Sequence, residues 1–157
     1  MADYIFPAPG VTDVEAVLTL SITGALGDLV VPSLQDITVN AANDLFTWTT
    51  LDEPSKRNVA TTATNSLSMN LVLEQTSFFG DSGATAGSAA EKGVFGMSND
   101  KTLVNFSLYL GDTSTGAPGK TMSGEGYITG LAPTVSADSP VWVSPITITV
   151  DGNYTVS

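Results

Sequence analysis

A chain of 157 residues is long enough to bury one core and reads as a single domain over 1–157. Its 16 acidic residues against 5 basic ones give a formal charge of −11, which excludes nucleic-acid binding through clustered Lys and Arg on phosphates. With neither Cys nor His in the chain, disulfides, thiol chemistry, nucleophilic triads and His-bearing metal sites are excluded together.

Residues 1–13 hold Pro7, Pro9 and Gly10 beside Tyr4, Ile5 and Phe6, an extended arm whose apolar tip docks on its own domain or on a neighbour. From Val14 to Thr23 the alternation runs on: Val14, Ala16, Leu18, Leu20 and Ile22 lie on one face, and Glu15, Val17, Thr19, Ser21 and Thr23 on the other, as in a half-buried strand. Gly24 to Asp28 turns, Leu29 to Pro32 is a short apolar edge, and Gln35 to Ala41 is a weaker strand through Ile37 and Val39.

Residues 43–58 read as a long inter-strand loop. It combines Phe46 and Trp48 with a threonine run and then Asp52, Glu53, Lys56 and Arg57. Loops of that length in a compact domain are functional or disordered, and a tryptophan in a polar loop needs a partner surface. Leu67, Met69, Leu71 and Leu73 then alternate with Ser68 and Asn70, a strand over 67–74 that ends beside Glu74. Thr85 to Phe95 is the only expected helix. It is weakened by glycines at 83, 87, 93 and 96, at about 1 kcal/mol each, and must be held by packing.

Leu103 to Leu110 is a strand, residues 111–119 a glycine-rich hairpin loop, and Thr121 to Leu131 the returning strand, with Glu125 on its polar face. Pro133 and Pro140 bound a loop over 132–140. Val141 to Val150 is a strand with Trp142, Ile146, Ile148 and Val150 on one face. Asp151-Gly152 turns or kinks the chain, and residues 153–157 give a short terminal strand. The inventory is mainly β: an antiparallel β-sandwich or half-barrel of seven or eight strands with one short helix.

Gly116-Ala-Pro-Gly-Lys-Thr121 approaches a phosphate-binding loop, but Ser114 stands where the first glycine belongs, and a strand follows instead of a helix. Asp and Asn near 81, 99–100 and 151–153 lack EF-hand spacing and read as turn residues. Charged residues make only 13% of the chain, about half the usual ~25%, so much of this Ser- and Thr-rich surface is expected to be covered by copies of the same chain. No apolar run approaches the ~18 residues of a membrane helix, and the expectation is a protein made in the cytoplasm.

From Leu103 to Val156 the chain resembles the tail tube (major tail) proteins of long, non-contractile-tailed bacteriophages, the siphophages. The resemblance rests on a strand, a loop, a strand with the core Gly126-Tyr127-Ile128-Thr129-Gly130, a polar loop and a final alternating run, Ile146 to Gly152. The long loop at 43–58 and the lone helix match as well, while the glycines in that helix depart from the pattern. What it implies is a subunit of hexameric rings stacked into a hollow tube. The partners are copies of itself and other phage tail proteins, DNA passes through the lumen without specific binding, and there is no cofactor. The place implied is the virion tail, assembled in the host cytoplasm. On that reading Phe46, Trp48, Asp52, Glu53, Lys56 and Arg57, with Tyr4 and Phe6 of the arm, make contacts between subunits or rings, and Glu15, Glu74 and Glu125 face the lumen. The alternatives are a capsid-decorating or adhesive virion β-sandwich and, from a different class, a metal-assisted carbohydrate hydrolase using a pair such as Asp52 and Glu53.

Overall fold

Period-two alternation places apolar side chains on one face of nearly every strand, and the fold follows from burying that face. The computed structural model describes residues 18–31, 34–41, 43–61, 64–111 and 119–157. The expected arm with Tyr4 and Phe6, the start of the first strand with Glu15, and residues 112–118 lie outside them. In chain order the elements are β1 (Leu18–Ser21), β2 (Leu29–Val31), β3 (Leu34–Asn40), β4 (Asp44–Thr50), β5 (Glu53–Thr61), β6 (Ser66–Val72), α1 (Gln75–Phe79), α2 (Ala89–Asn99), β7 (Val104–Gly111), β8 (Gly119–Leu131), β9 (Thr134–Ser136) and β10 (Ser139–Val156).

One antiparallel sheet runs in the order β2-β1-β7-β8-β10-β6-β3, with β9 added to β10, and β4 and β5 form a separate two-stranded sheet. The edge strands β2 and β3 are consecutive in the chain, joined by residues 32 and 33 alone. Three Cα–Cα steps reach at most about 11 Å, whereas six flat inter-strand spacings would separate these edges by about 29 Å. The sheet therefore curls until its edges approach, a half-barrel wrapped around its apolar face.

That face carries Leu18, Leu20, Leu67, Met69, Leu71, Val104, Phe106, Leu108, Ile146 and Ile148, all buried. Each large side chain so placed contributes about 1.5–3 kcal/mol. The helices cover it with Phe78, Ala89, Val94 and Met97, and the Ser98 hydroxyl donates to the Ile128 carbonyl oxygen at 3.4 Å. Ser144 is a buried polar side chain where β10 passes from its β8 partner to β9. Its hydroxyl accepts from the Ala132 N–H at 3.2 Å and donates to the Pro145 carbonyl at 2.9 Å, supplying bonds where the ladder changes hands.

Four expectations are corrected. Residues 43–58 are not a loop: β4 and β5 pair from Asp44↔Thr61 to Thr50↔Glu53 around the two-residue turn Leu51-Asp52. The register shifts between Trp48 and Thr50, a bulge that places Pro54, which has no N–H to donate, outside the regular ladder. There are two helices among the described residues rather than one. The longer starts at Ala89 and not at Thr85, because Ser88 caps it: its Oγ accepts from the Glu91 N–H at 3.1 Å, while the Glu91 carboxylate reaches back to the Gly87 N–H. The terminal strand expected beyond Asp151-Gly152 is not a separate element: of the turn or kink expected there the chain has the kink, and β10 runs on through an irregularity to Val156, with Gly152 at φ 79°. The loop expected over 132–140 contains β9 and the start of β10.

Candidate functional site

The sheet face turned away from the core is mostly hydroxyls, amides and acids, with Val30 of β2 beside Thr19 and Pro145 of β10 beside Asn70. Along β1 it shows Thr19 and Ser21, and along β3 Asp36, Thr38 and Asn40. It continues with Ser66, Ser68 and Asn70 on β6, Asn105 and Ser107 on β7, Ser123, Glu125, Tyr127 and Thr129 on β8, and Thr147, Thr149 and Asp151 on β10. Cross-strand hydrogen bonds tie neighbours together. Asn40 Nδ2 donates to Ser66 Oγ at 3.2 Å, Asn70 Nδ2 to the Asp36 carboxylate at 3.0 Å, and Asn105 Nδ2 to Thr23 Oγ1 at 2.8 Å. Thr129 and Thr149 hydroxyls lie 2.9 Å apart, and those of Ser123 and Thr155 3.1 Å apart.

Among the described strand residues the acids on this face are Asp36, Glu125 and Asp151, and Asp28 from the turn before β2 lines a hollow with Thr19, Ser21, Ser123 and Glu125. Glu125 is registered directly opposite Asp151 across β8 and β10, an arrangement of like charges that costs the sheet a few tenths of a kcal/mol or more. No basic side chain offsets them among the described residues of this face. Lys56 and Arg57 belong to the β4–β5 hairpin, Lys92 pairs with Asp100 at 3.1 Å on α2, Lys101 follows that helix, and Lys120 has the parity of Met122 on the core side of β8.

The hairpin is the second surface. Every described side chain on it is exposed. The pairings Phe46↔Val59 and Trp48↔Arg57 put these four on one face, with the rings of Phe46 and Trp48 stacked at 5.8 Å and 28°. An isolated two-stranded hairpin is marginal in water, and aromatic residues beside an Arg are the composition of interface anchors.

A third surface lies where β6 and β10 meet α1. Trp142, 53% exposed, and Phe79, 58% exposed, line with Val141, Leu73, Pro133 and Glu74 a groove of about 540 Å³. Phe79 continues into the ring cluster of Phe78 and Phe95.

The expected contact residues Phe46, Trp48, Asp52, Glu53, Lys56 and Arg57 thus come together on one hairpin. Of the expected lumen acids, Glu125 stands on the polar sheet face. Glu74 does not: it lies beyond β6 at the N-cap position of α1, where its carboxylate accepts from Ser77 Oγ at 2.9 Å and Thr76 Oγ1 at 3.2 Å. Sequence reading missed Asp36 and Asp151, although Asp36 shares the parity of Thr38 in a strand that was expected. It also missed the groove, because Trp142 shares a strand face with the buried Ser144 and Ile146, as a core residue would, yet is exposed near the start of β10.

No family model matches the sequence, and no curated protein does. Solved structures share its fold. The tail of an empty gene transfer agent particle, refined helically with C6 symmetry, matches with a TM-score of 0.61 at 12% identity over 96% of this chain and 99% of that one. The SPP1 tail tube matches with a TM-score of 0.62 at 12% identity, over 96% of this chain and 79% of that one. The cap that terminates the tube of the anti-feeding prophage matches with a TM-score of 0.54 at 15% identity, over 100% and 95%. The chain has the tail tube fold.

Proposed function

We propose that this protein is a structural, non-enzymatic subunit of a bacteriophage tail tube, in which six copies form a ring and rings stack around a lumen for DNA. The observation that carries the reading is the polar sheet face. A curled sheet with one face buried and the other set with hydroxyls, amides and carboxylates, and no base, is the lining that lets a polyanion slide without adhering. At −11 per subunit, six copies carry −66. The C6 symmetry used for the gene transfer agent tail supports six as the number. Self-association is supported from a second side by the hairpin, which leaves Leu45, Phe46, Leu51 and Val59 exposed on a lone subunit. In the virion the subunit meets itself and the tail components at the two ends of the tube.

The tube-terminating cap among the fold's other bearers supports a second reading, a subunit that closes a tube without repeating. Electron microscopy with light scattering on the purified protein separates the two. A repeating subunit gives tubes or stacked rings as concentration and salt rise, whereas a terminator stops at a single ring. A protein that stays monomeric at high concentration and high salt contradicts both.

A further inference from the structure

The aromatic hairpin and the Trp142 groove lie at opposite ends of one strand. The hairpin leaves the main sheet where Asn40 pairs with Ser66, at the start of β6, and the groove begins at Val72, at its end. Six residue steps of about 3.4 Å put them about 20 Å apart, so neither surface reaches the other within one chain. Two matching surfaces at opposite ends of one strand make a head-to-tail contact between copies, which runs on as a stack where the rotation does not close it into a ring.

They do match. The hairpin face offers two stacked rings and the guanidinium of Arg57. The groove offers Trp142, Phe79 and Val141 with the Glu74 carboxylate at its rim, in a volume of about 540 Å³, within the ~300–1,000 Å³ of clefts that enclose groups of this size. Lys56 and Arg57 are the only adjacent bases in the chain; Asp44, Asp52 and Glu53 leave the hairpin with no net positive charge, so the charge match is a local one, between the Arg57 side of the aromatic face and the acid at the groove.

We infer that the Phe46–Trp48 face of one copy's hairpin seats in the Trp142 groove of a copy in the next ring, with Arg57 against Glu74. The inference rests on the tube reading above and names the surface that receives the hairpin. Because the chain has no cysteine, cross-linking tests it directly. A protein carrying both Phe46→Cys and Val141→Cys is assembled, oxidised and run on a denaturing gel without reductant. Disulfides need Cα atoms within about 7 Å, so a ladder of covalent multimers is expected from this pair and none from Phe46→Cys with Thr129→Cys on the polar face. Arg57→Glu is expected to raise the concentration needed for assembly about tenfold, a change of about 1.4 kcal/mol. Tubes that form normally but give no ladder overturn this contact and leave the tube reading standing. A protein that forms no tubes at all overturns both, and an unchanged threshold for Arg57→Glu overturns the pairing with Glu74.

Discussion

At Gly93 the chain leaves helical geometry, with φ 66° and ψ 176°, and kinks α2 so that its first turn packs on α1. A Cβ here would strike the Gly80 backbone nitrogen, and one at Gly80, itself at φ 100°, would strike the Glu91 carbonyl. The two glycines permit a backbone-to-backbone contact that no side chain allows. Sequence reading counted Gly87 and Gly93 alike as weak helix formers, because composition shows that a glycine is present but not that a second chain segment lies against it. The difference is measurable. Gly87→Ala pays only for positive φ, since nothing lies within 4 Å, and is expected to lower unfolding free energy by about 1 kcal/mol. Gly93→Ala adds the clash and is expected to cost about 3 kcal/mol or more. Urea unfolding of the two variants checks it, and equal losses would mean that the contact with Gly80 is not tight.

At the scale of elements, what the sequence made legible was whatever one buried face enforces. Leu18, Leu20, Leu67, Met69 and Leu71 alternate because one side of β1 and β6 meets the core, and the strands at 104–111 and 119–131 follow the same rule. Phe106 belongs to that set, and Phe106→Ala is expected to cost about 3–5 kcal/mol in a thermal or urea melt. The β4–β5 hairpin obeys no such rule. Neither face of its described residues is buried in its own subunit. The short alternation of Phe46 and Trp48 with Thr47 and Thr49 is therefore broken at Leu45 and finds no match in the charged run 52–57, and a strand pair reads as a loop. The same exposure predicts independence. Asn40 and Ser66 are paired where the hairpin departs, about 5 Å apart as ladder partners are, so a short Gly-Ser turn can replace residues 44–61. The shortened protein is expected to keep its circular dichroism and to change stability by about 0.5 kcal/mol or less, yet to form no long tubes under the microscope. Long tubes from it would show that the hairpin plays no part in stacking.

For the whole molecule, like charge opposes assembly and burial of weakly charged faces favours it. Salt shortens the screening length from about 10 Å at 0.1 M to about 3 Å at 1 M, so the assembled fraction measured by light scattering should rise with ionic strength. If six copies enclose a channel for DNA as proposed, the same net charge sets how that channel treats it. Glu125 and Asp151 face each other across β8 and β10 on the polar face, so changing both to lysine replaces one like-charge pair by another and leaves the sheet's own electrostatics nearly balanced. Each change adds two units of charge, taking the subunit from −11 to −7, which also lowers repulsion between copies. Tubes of normal length are therefore expected from Glu125→Lys with Asp151→Lys. DNA is affected differently: every ring of six now presents twelve ammonium groups to the phosphates, and phosphate binding of that kind weakens steeply with salt. DNA release from particles carrying the double change should be slow at low ionic strength and return toward the wild-type rate as salt is raised. Time courses of release at several salt concentrations decide the matter, and wild-type kinetics at low salt would mean that this face of the sheet does not meet the DNA.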